Sequence, residues 1–382
     1  MYQKLYSRFL AAHSEELHFA SHSHHYWPDV TRDAHLHYWD DSCRYVDNKW
    51  EYLFSQKIPH TQNLIAEILK LSSPTQLVFA PNTHEFVFRL LTSLDWNKPV
   101  RILTTDSEFY SFDRQINRLN EFSQFEVVKV PTLPFHDFHE RFESEMKKGL
   151  WDLIFISHVF FNSGLVADIQ RLVKNAPASA TFVIDGYHGF MAVPTDLSSI
   201  EERAFYLAGS YKYAQGGEGC CFLYVPSSVR HRPFYTGWFA ELSHLSSVGN
   251  KVPYPPDALQ YAGSTMDFSA LYRLTAVLDL FKKENITVDK IHAWIQQNQK
   301  TFMMALKKKN NALLNDRTLI CEDLSNHGHF LTFEIPSVEI TQNMVKDFKS
   351  RGLLVDSRGT RLRFGFGLYH NTDSVTKAVR LI

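Results

Sequence analysis

A recurring rhythm constrains this chain most: short apolar runs, each closed by a polar or glycine turn and followed by a helical pattern. The runs are TQLVFAPN, VRILTTDSE, FEVVKVP, WDLIFISH, ATFVIDGYHG, RAFYLAGSYK and GCCFLYVP. They lack polar alternation, as strands buried on both faces do. Most are separated by the helical stretches HEFVFRLLTSL, SFDRQINRLNEF, FHERFESEMKKG and DIQRLVKNA. This order predicts a large α/β domain over residues 61–250 with a mainly parallel, doubly wound sheet, and it places ligands at the carboxyl ends of the strands. Beyond it, KVPYPPDALQYAGSTM reads as a crossing, and FSALYRLTAVLDLFKKENI and VDKIHAWIQQNQKTFMMALKKKNN as long helices. HFLTFEI, GLLVDSR and TRLRFGF read as strands of a smaller α+β domain, so 251–382 is expected to form the second unit. Residues 1–60 are expected to be a helical segment packing beside it.

Composition narrows the function classes. The 382 residues carry a formal net charge of -1, so no charge excess points to nucleic acid or an anionic membrane. No apolar run approaches the ~20 residues that span a bilayer. The opening MYQKLYSRFLAAHSEEL reads as an amphipathic helix rather than a signal peptide, and a cytoplasmic enzyme is expected. Cys43, Cys220, Cys221 and Cys321 do not form a disulfide framework in a chain of this length. The adjacent Cys220 and Cys221 read as small core residues.

The chemistry concentrates where two apolar runs end. One closes on Asp185, another on Ser210-Tyr211-Lys212, with Gly216, Gly217 and Gly219 following. A carboxylate and a lysine so placed suit pyridoxal 5′-phosphate (PLP). The carboxylate keeps the pyridine nitrogen protonated, and the lysine supplies the imine and then a general base. The residues alone leave the plainer reading open: a structural Asp at a strand end and a surface Lys in a glycine loop. No histidine spacing suits a metal. His84-Glu85 has no second histidine four residues on, so the zinc-protease pattern is absent.

DGYHG followed by SYKYAQGGEG resembles the fold-type I PLP enzymes of the aminotransferase class V group, and within it kynureninase and its relatives. The resemblance runs along nearly the whole chain, in order. It implies that Lys212 is catalytic and carries PLP as a Schiff base, with Asp185 at the pyridine nitrogen and His188 nearby. PNTHE is similar to the loop and helix start that receive the phosphate, which assigns Thr83 and His84 as donors. SEFYS puts Phe109 on the ring face, although such a ring is also at home in a core. Tyr211, the Trp238 of YTGWF, and Ser264 and Thr265 of YAGST are implied at the phosphate, the last two across a dimer interface. DSRGTRLRFGFGLYHNTDSV is similar to the segment whose arginine, here Arg363, clamps the substrate α-carboxylate, for which a guanidinium fork is suited. Ser23, in the turn of LHFASHSHHYWP, is implied at the substrate end. Arg358 and Arg361 are expected to be structural or solvent-facing. A homodimer with the active site at the subunit interface follows from the family rather than from the residues.

The match departs at the substrate end. Phe160 of SHVFFNSG stands where class V enzymes often place an asparagine on the cofactor's phenolic oxygen, with Asn162 close by. SCRYVDNKWEYL has Trp50 but not the histidine that precedes it in kynureninases, and the turn reads His22-Ser23-His24-His25. The expected activity is kynureninase-type hydrolysis of a Cβ–Cγ bond. The alternatives are a class V aminotransferase or β-lyase, including a cysteine desulfurase with Cys321 as sulfur acceptor at the end of the apparent strand RTLIC, or a PLP fold serving as a scaffold.

Overall fold

The computed structural model describes residues 2–242, 251–320 and 323–382. The seven apolar runs become strands of one sheet: β1 (Leu77–Ala80), β2 (Val100–Thr105), β3 (Phe125–Val130), β4 (Leu153–Ser157), β5 (Thr181–Asp185), β6 (Ala204–Gly209) and β7 (Cys221–Tyr224). Their order is β1-β7-β6-β5-β4-β2-β3. All neighbouring pairs are parallel except those made by β7, which runs antiparallel to β1 and β6. No helix intervenes between β6 and β7, so the chain turns back on itself instead of crossing over. That turn needs Gly217, whose φ is +74° and whose missing Cβ would stand 2.5 Å from Trp27 Cζ2.

Between β2 and β4 the strand order reverses, which opens a crevice at their carboxyl ends. The following helices start there. Helix α1 (Val30–Tyr45) packs along α4 (Ser269–Lys283), while α2 (Thr83–Thr92) follows β1 and α3 (Tyr110–Leu119) follows β2. Asn82 caps α2 by accepting the Glu85 N–H at 3.0 Å, and Phe86, Val87, Leu90 and Leu91 are buried on that helix. Helix α5 (Val288–Lys309) completes the long helical pair read from the sequence.

A separate three-stranded antiparallel sheet holds β8 (Phe330–Glu334), β9 (Asp356–Arg358) and β10 (Arg361–Gly365), in the order β9-β10-β8. Its register sets Asp356 directly opposite Arg363. Leu17–His18 pairs with Leu353–Leu354, and Ala20 bridges Gly365. The turn carrying His22 and Ser23 is thereby laid against β10. RTLIC is not a strand: it contributes a single bridge, Leu319 to Phe333. The Leu319 N–H bonds back to the Asn315 carbonyl in a local turn, which ends the extended run. Cys321 lies outside the described residues. No described helix is long and apolar enough to cross a membrane.

Candidate active site

Lys212 follows β6 and is 9% exposed. Its Nζ donates to His188 Nε2 at 2.6 Å and stands 5.2 Å from the centre of the Phe109 ring and 5.3 Å from that of Tyr187. Burial holds the Lys212 ammonium well below its ordinary range, against the opposing pull of Asp185. Burial likewise raises the Asp185 carboxyl, offset by the Tyr187 N–H it accepts at 2.9 Å and by the charge of Lys212. His188 is driven well below neutrality, first by burial and then by Lys212. A neutral imidazole therefore accepts the lysine proton. Four residues read from the sequence, Phe109, Asp185, His188 and Lys212, are brought together by the ends of β2, β5 and β6.

Two neighbours escaped the sequence reading. Glu108 is 4% exposed and accepts from Thr105 Oγ1 at 2.7 Å and Ser157 Oγ at 2.6 Å. Its pKa is pushed up to about 8, chiefly by burial, with those hydrogen bonds opposing and the charge of Asp185 adding to the rise. His158 donates its backbone N–H to the Asp185 carbonyl at 2.8 Å, and burial pushes its ring down to about 4. The visible signal for both was a polar residue just beyond an apolar run. Their convergence depends on β2, β4 and β5 lying side by side, which no local pattern encodes.

Arg363, on β10, is 3% exposed, and its charge is felt at both Lys212 and His188. One terminal nitrogen donates to the Asp356 carboxylate and the other to the Phe161 carbonyl at 2.5 Å. Asp356 also accepts from Arg358 Nη1 at 2.7 Å, and its Oδ2 is 3.5 Å from His22 Nε2. Arg358 is thus tied into the Arg363 cluster, and its charge is felt at Lys212. Arg361 donates to the Asn162 carbonyl at 3.2 Å. Ser23 sits in the turn beside the cluster, its N–H bonded to the Ala20 carbonyl at 2.9 Å. Gly365 is required at the closest approach: a Cβ there would lie 2.3 Å from His22 Nδ1. Phe160 is fully buried and meets Phe138 edge-on at 5.5 Å. Asn162 donates to Ser107 Oγ at 3.1 Å.

The remaining residues make separate contacts. Trp238 Nε1 donates to Thr265 Oγ1 at 3.1 Å and meets Trp50 edge-on at 6.0 Å. Ser264 and Thr265 line a cavity of about 180 Å³ with Arg89, Glu85 and Pro81, beside the start of α2. Thr83 gives its backbone N–H to the Cys221 thiol, so Cys221 borders the site. His84 Nδ1 accepts from Gln115 Nε2 at 2.8 Å, which ties its ring to α3. Tyr211 meets His24 edge-on at 5.3 Å. No hydrogen bond among the described residues joins Trp238, Ser264 or Thr265 to Lys212.

The sheet order, the reversed strand and the lysine after β6 define a fold-type I α/β enzyme. The chain belongs to the aminotransferase class V family, whose model matches residues 30–372; PLP is the cofactor of this class. Among solved structures, the cystine C–S lyase C-DES, in complex with its reaction product cysteine persulfide, superposes with a TM-score of 0.83 at 16% identity, covering 97% of this chain and 98% of that one. A cysteine desulfurase from Thermococcus onnurineus NA1 gives 0.77 at 16% identity over 96% and 94%. The Escherichia coli cysteine desulfurase CsdA gives 0.78 at 15% over 98% and 96%. No curated protein sequence matches. The donor set fits PLP: a buried amine, a half-buried carboxylate at the end of the neighbouring strand, an aromatic ring facing the amine and a capped helix start nearby.

Proposed function

We propose that this chain is a PLP-dependent lyase acting on a small amino acid, with Lys212 as the residue that holds the cofactor and moves the substrate's α-proton. The observation that carries this reading is the Lys212 Nζ itself, buried, 2.6 Å from a neutral His188 and over Phe109. When bound, PLP supplies an electron sink that makes the substrate's α-proton acidic. Asp185 holds a proton on the pyridine nitrogen, since a cation beside it restores its ionised form. Phe109 would cover one face of the bound cofactor's ring, since it and His188 both face Lys212 Nζ. Thr83 and His84 at the start of α2, with Tyr211, Trp238, Ser264 and Thr265, would receive the phosphate. Arg363, with Ser23 nearby, holds the α-carboxylate. Lys212 takes the α-proton as a neutral amine, a form its desolvation favours, and the neutral His188 orients Nζ by accepting a hydrogen bond from it.

Loss of a group from the β-carbon follows naturally in such a site, and sulfur amino acids are the first substrates to test. Support comes from the full-length likeness to the cystine C–S lyase, a likeness of fold. A second reading is kynureninase-type hydrolysis. It is favoured by the DSRGTRLRFGF segment around Arg363 and by the aromatic wall of Trp50 and Trp238. The test is the visible spectrum of PLP-loaded protein and of Lys212→Ala, followed by product analysis with L-cystine, L-cysteine and L-kynurenine. Pyruvate with sulfide or persulfide from the sulfur amino acids supports the lyase. Alanine and anthranilate from kynurenine support the hydrolase. The absence of a Lys212-dependent visible band overturns both.

A further inference from the structure

The Arg363 fork already holds a carboxylate. Asp356 faces Arg363 in register across β9 and β10 and accepts from its terminal nitrogen. It is not confined to that partner. Its other oxygen is 2.7 Å from Arg358 Nη1, and His22 Nε2 stands 3.5 Å away. Both ring nitrogens of His22 are buried without a hydrogen bond, and the same is true of Arg363 Nε. The cluster thus contains one carboxylate, two guanidinium groups and an imidazole with bonding capacity unused. Buried polar atoms left in this way are costly unless another arrangement satisfies them. A second anion at Arg363 would do so: it would bond the free guanidinium edge while Asp356 passes to Arg358 and His22.

We propose that Asp356 is a specificity-determining residue that competes with the ligand carboxylate for Arg363 and yields to it by moving onto Arg358 and His22. The inference rests on the reading that Arg363 meets a substrate carboxylate, and it deepens that reading. A carboxylate entering this site gains less than the full attraction of an unpaired arginine, because it replaces an existing partner. Affinity for simple amino acids is therefore restrained. Side-chain contacts then contribute a larger share of substrate selection.

Titration calorimetry of the PLP-loaded enzyme with propionate, and with propanamide as its neutral counterpart, tests this. Asp356→Asn keeps the shape and an acceptor for Arg363 while removing the charge. The expected result is propionate binding tightened about tenfold, the size of one lost charge competitor, with propanamide unchanged. His22→Phe, which preserves stacking on Phe330, is expected to weaken propionate several-fold by removing one of the seats Asp356 moves to. Arg363→Gln is expected to abolish the preference for propionate over propanamide. Propionate binding unchanged or weaker in Asp356→Asn, with Arg363→Gln behaving as expected, overturns the competition alone. An Arg363→Gln enzyme that still prefers propionate overturns the underlying assignment. If Asp356→Asn does not fold, the His22→Phe titration decides: unchanged propionate affinity there rejects the exchange.

Discussion

Lys212 Nζ and His188 Nε2 are 2.6 Å apart, and both residues are buried. Two potentially cationic groups this close cannot both be charged. Burial lowers both and leaves His188, driven well below its ordinary 6.5, the weaker base, so at most one proton is shared and the lysine holds it. A base whose charged form is already disfavoured releases that proton more readily near neutrality than an exposed lysine. This pair is the centre of the proposed chemistry.

Asp185→Asn is expected to leave the fold intact and to cut turnover by about two orders of magnitude, the usual cost of losing one well-placed electrostatic partner of a developing charge. Steady-state kinetics with the substrate identified from the amino-acid panel checks this. Turnover within a factor of a few of the parent would remove Asp185 from the catalytic role.

Glu108 gives a pH signature to stability. Its folded pKa, about 8, lies above the ordinary 4.5. Between those values the folded state holds a proton that the unfolded state has released. Stability therefore falls as pH rises from 4.5 towards about 8. Glu108→Gln removes this contribution, so its melting temperature is expected to decline less over that window. Parallel pH dependence in the two proteins by scanning calorimetry would contradict the burial argument.

Phe109→Ala removes the ring 5.2 Å from Lys212 Nζ. Stacking of one aromatic contributes about 1 kcal/mol beyond area burial, so PLP affinity is expected to weaken about fivefold or more. Fluorescence titration of the apoprotein measures it. Unchanged affinity would remove Phe109, 39% exposed, from the cofactor face.

Gly365→Ala drives a methyl group to 2.3 Å from His22 Nδ1 and 2.9 Å from the backbone nitrogens of Ser21 and His22. Overpacking against backbone costs about 1–3 kcal/mol, and the displaced turn carries His22 away from Asp356. A lower denaturation midpoint is expected. A midpoint equal to the parent would show that the turn relaxes freely.

The sequence by itself determined the layered α/β class, because burial on both faces leaves its mark as continuous apolar runs and helices as longer periodic ones. It also singled out Asp185 and Lys212, since each closes such a run and strand ends are where ligands sit. Phe109, His188 and Arg363 were legible through the resemblance of their flanking segments. What only the tertiary structure decided are relations between strands distant in the chain. Glu108 becomes a proton-holding acid because the packing of β2, β4 and β5 buries it and sets the charge of Asp185 near it, against the hydrogen bonds it accepts from Thr105 and Ser157. Arg363 is bound to Asp356 because the β9–β10 register sets them opposite. RTLIC looked like a strand from its apolar residues, yet a side-chain and backbone turn at Asn315 limited it to one bridge. Local pattern reports what each segment buries. Charge state and partner choice depend on which segments bury it together, and that is set by long-range packing.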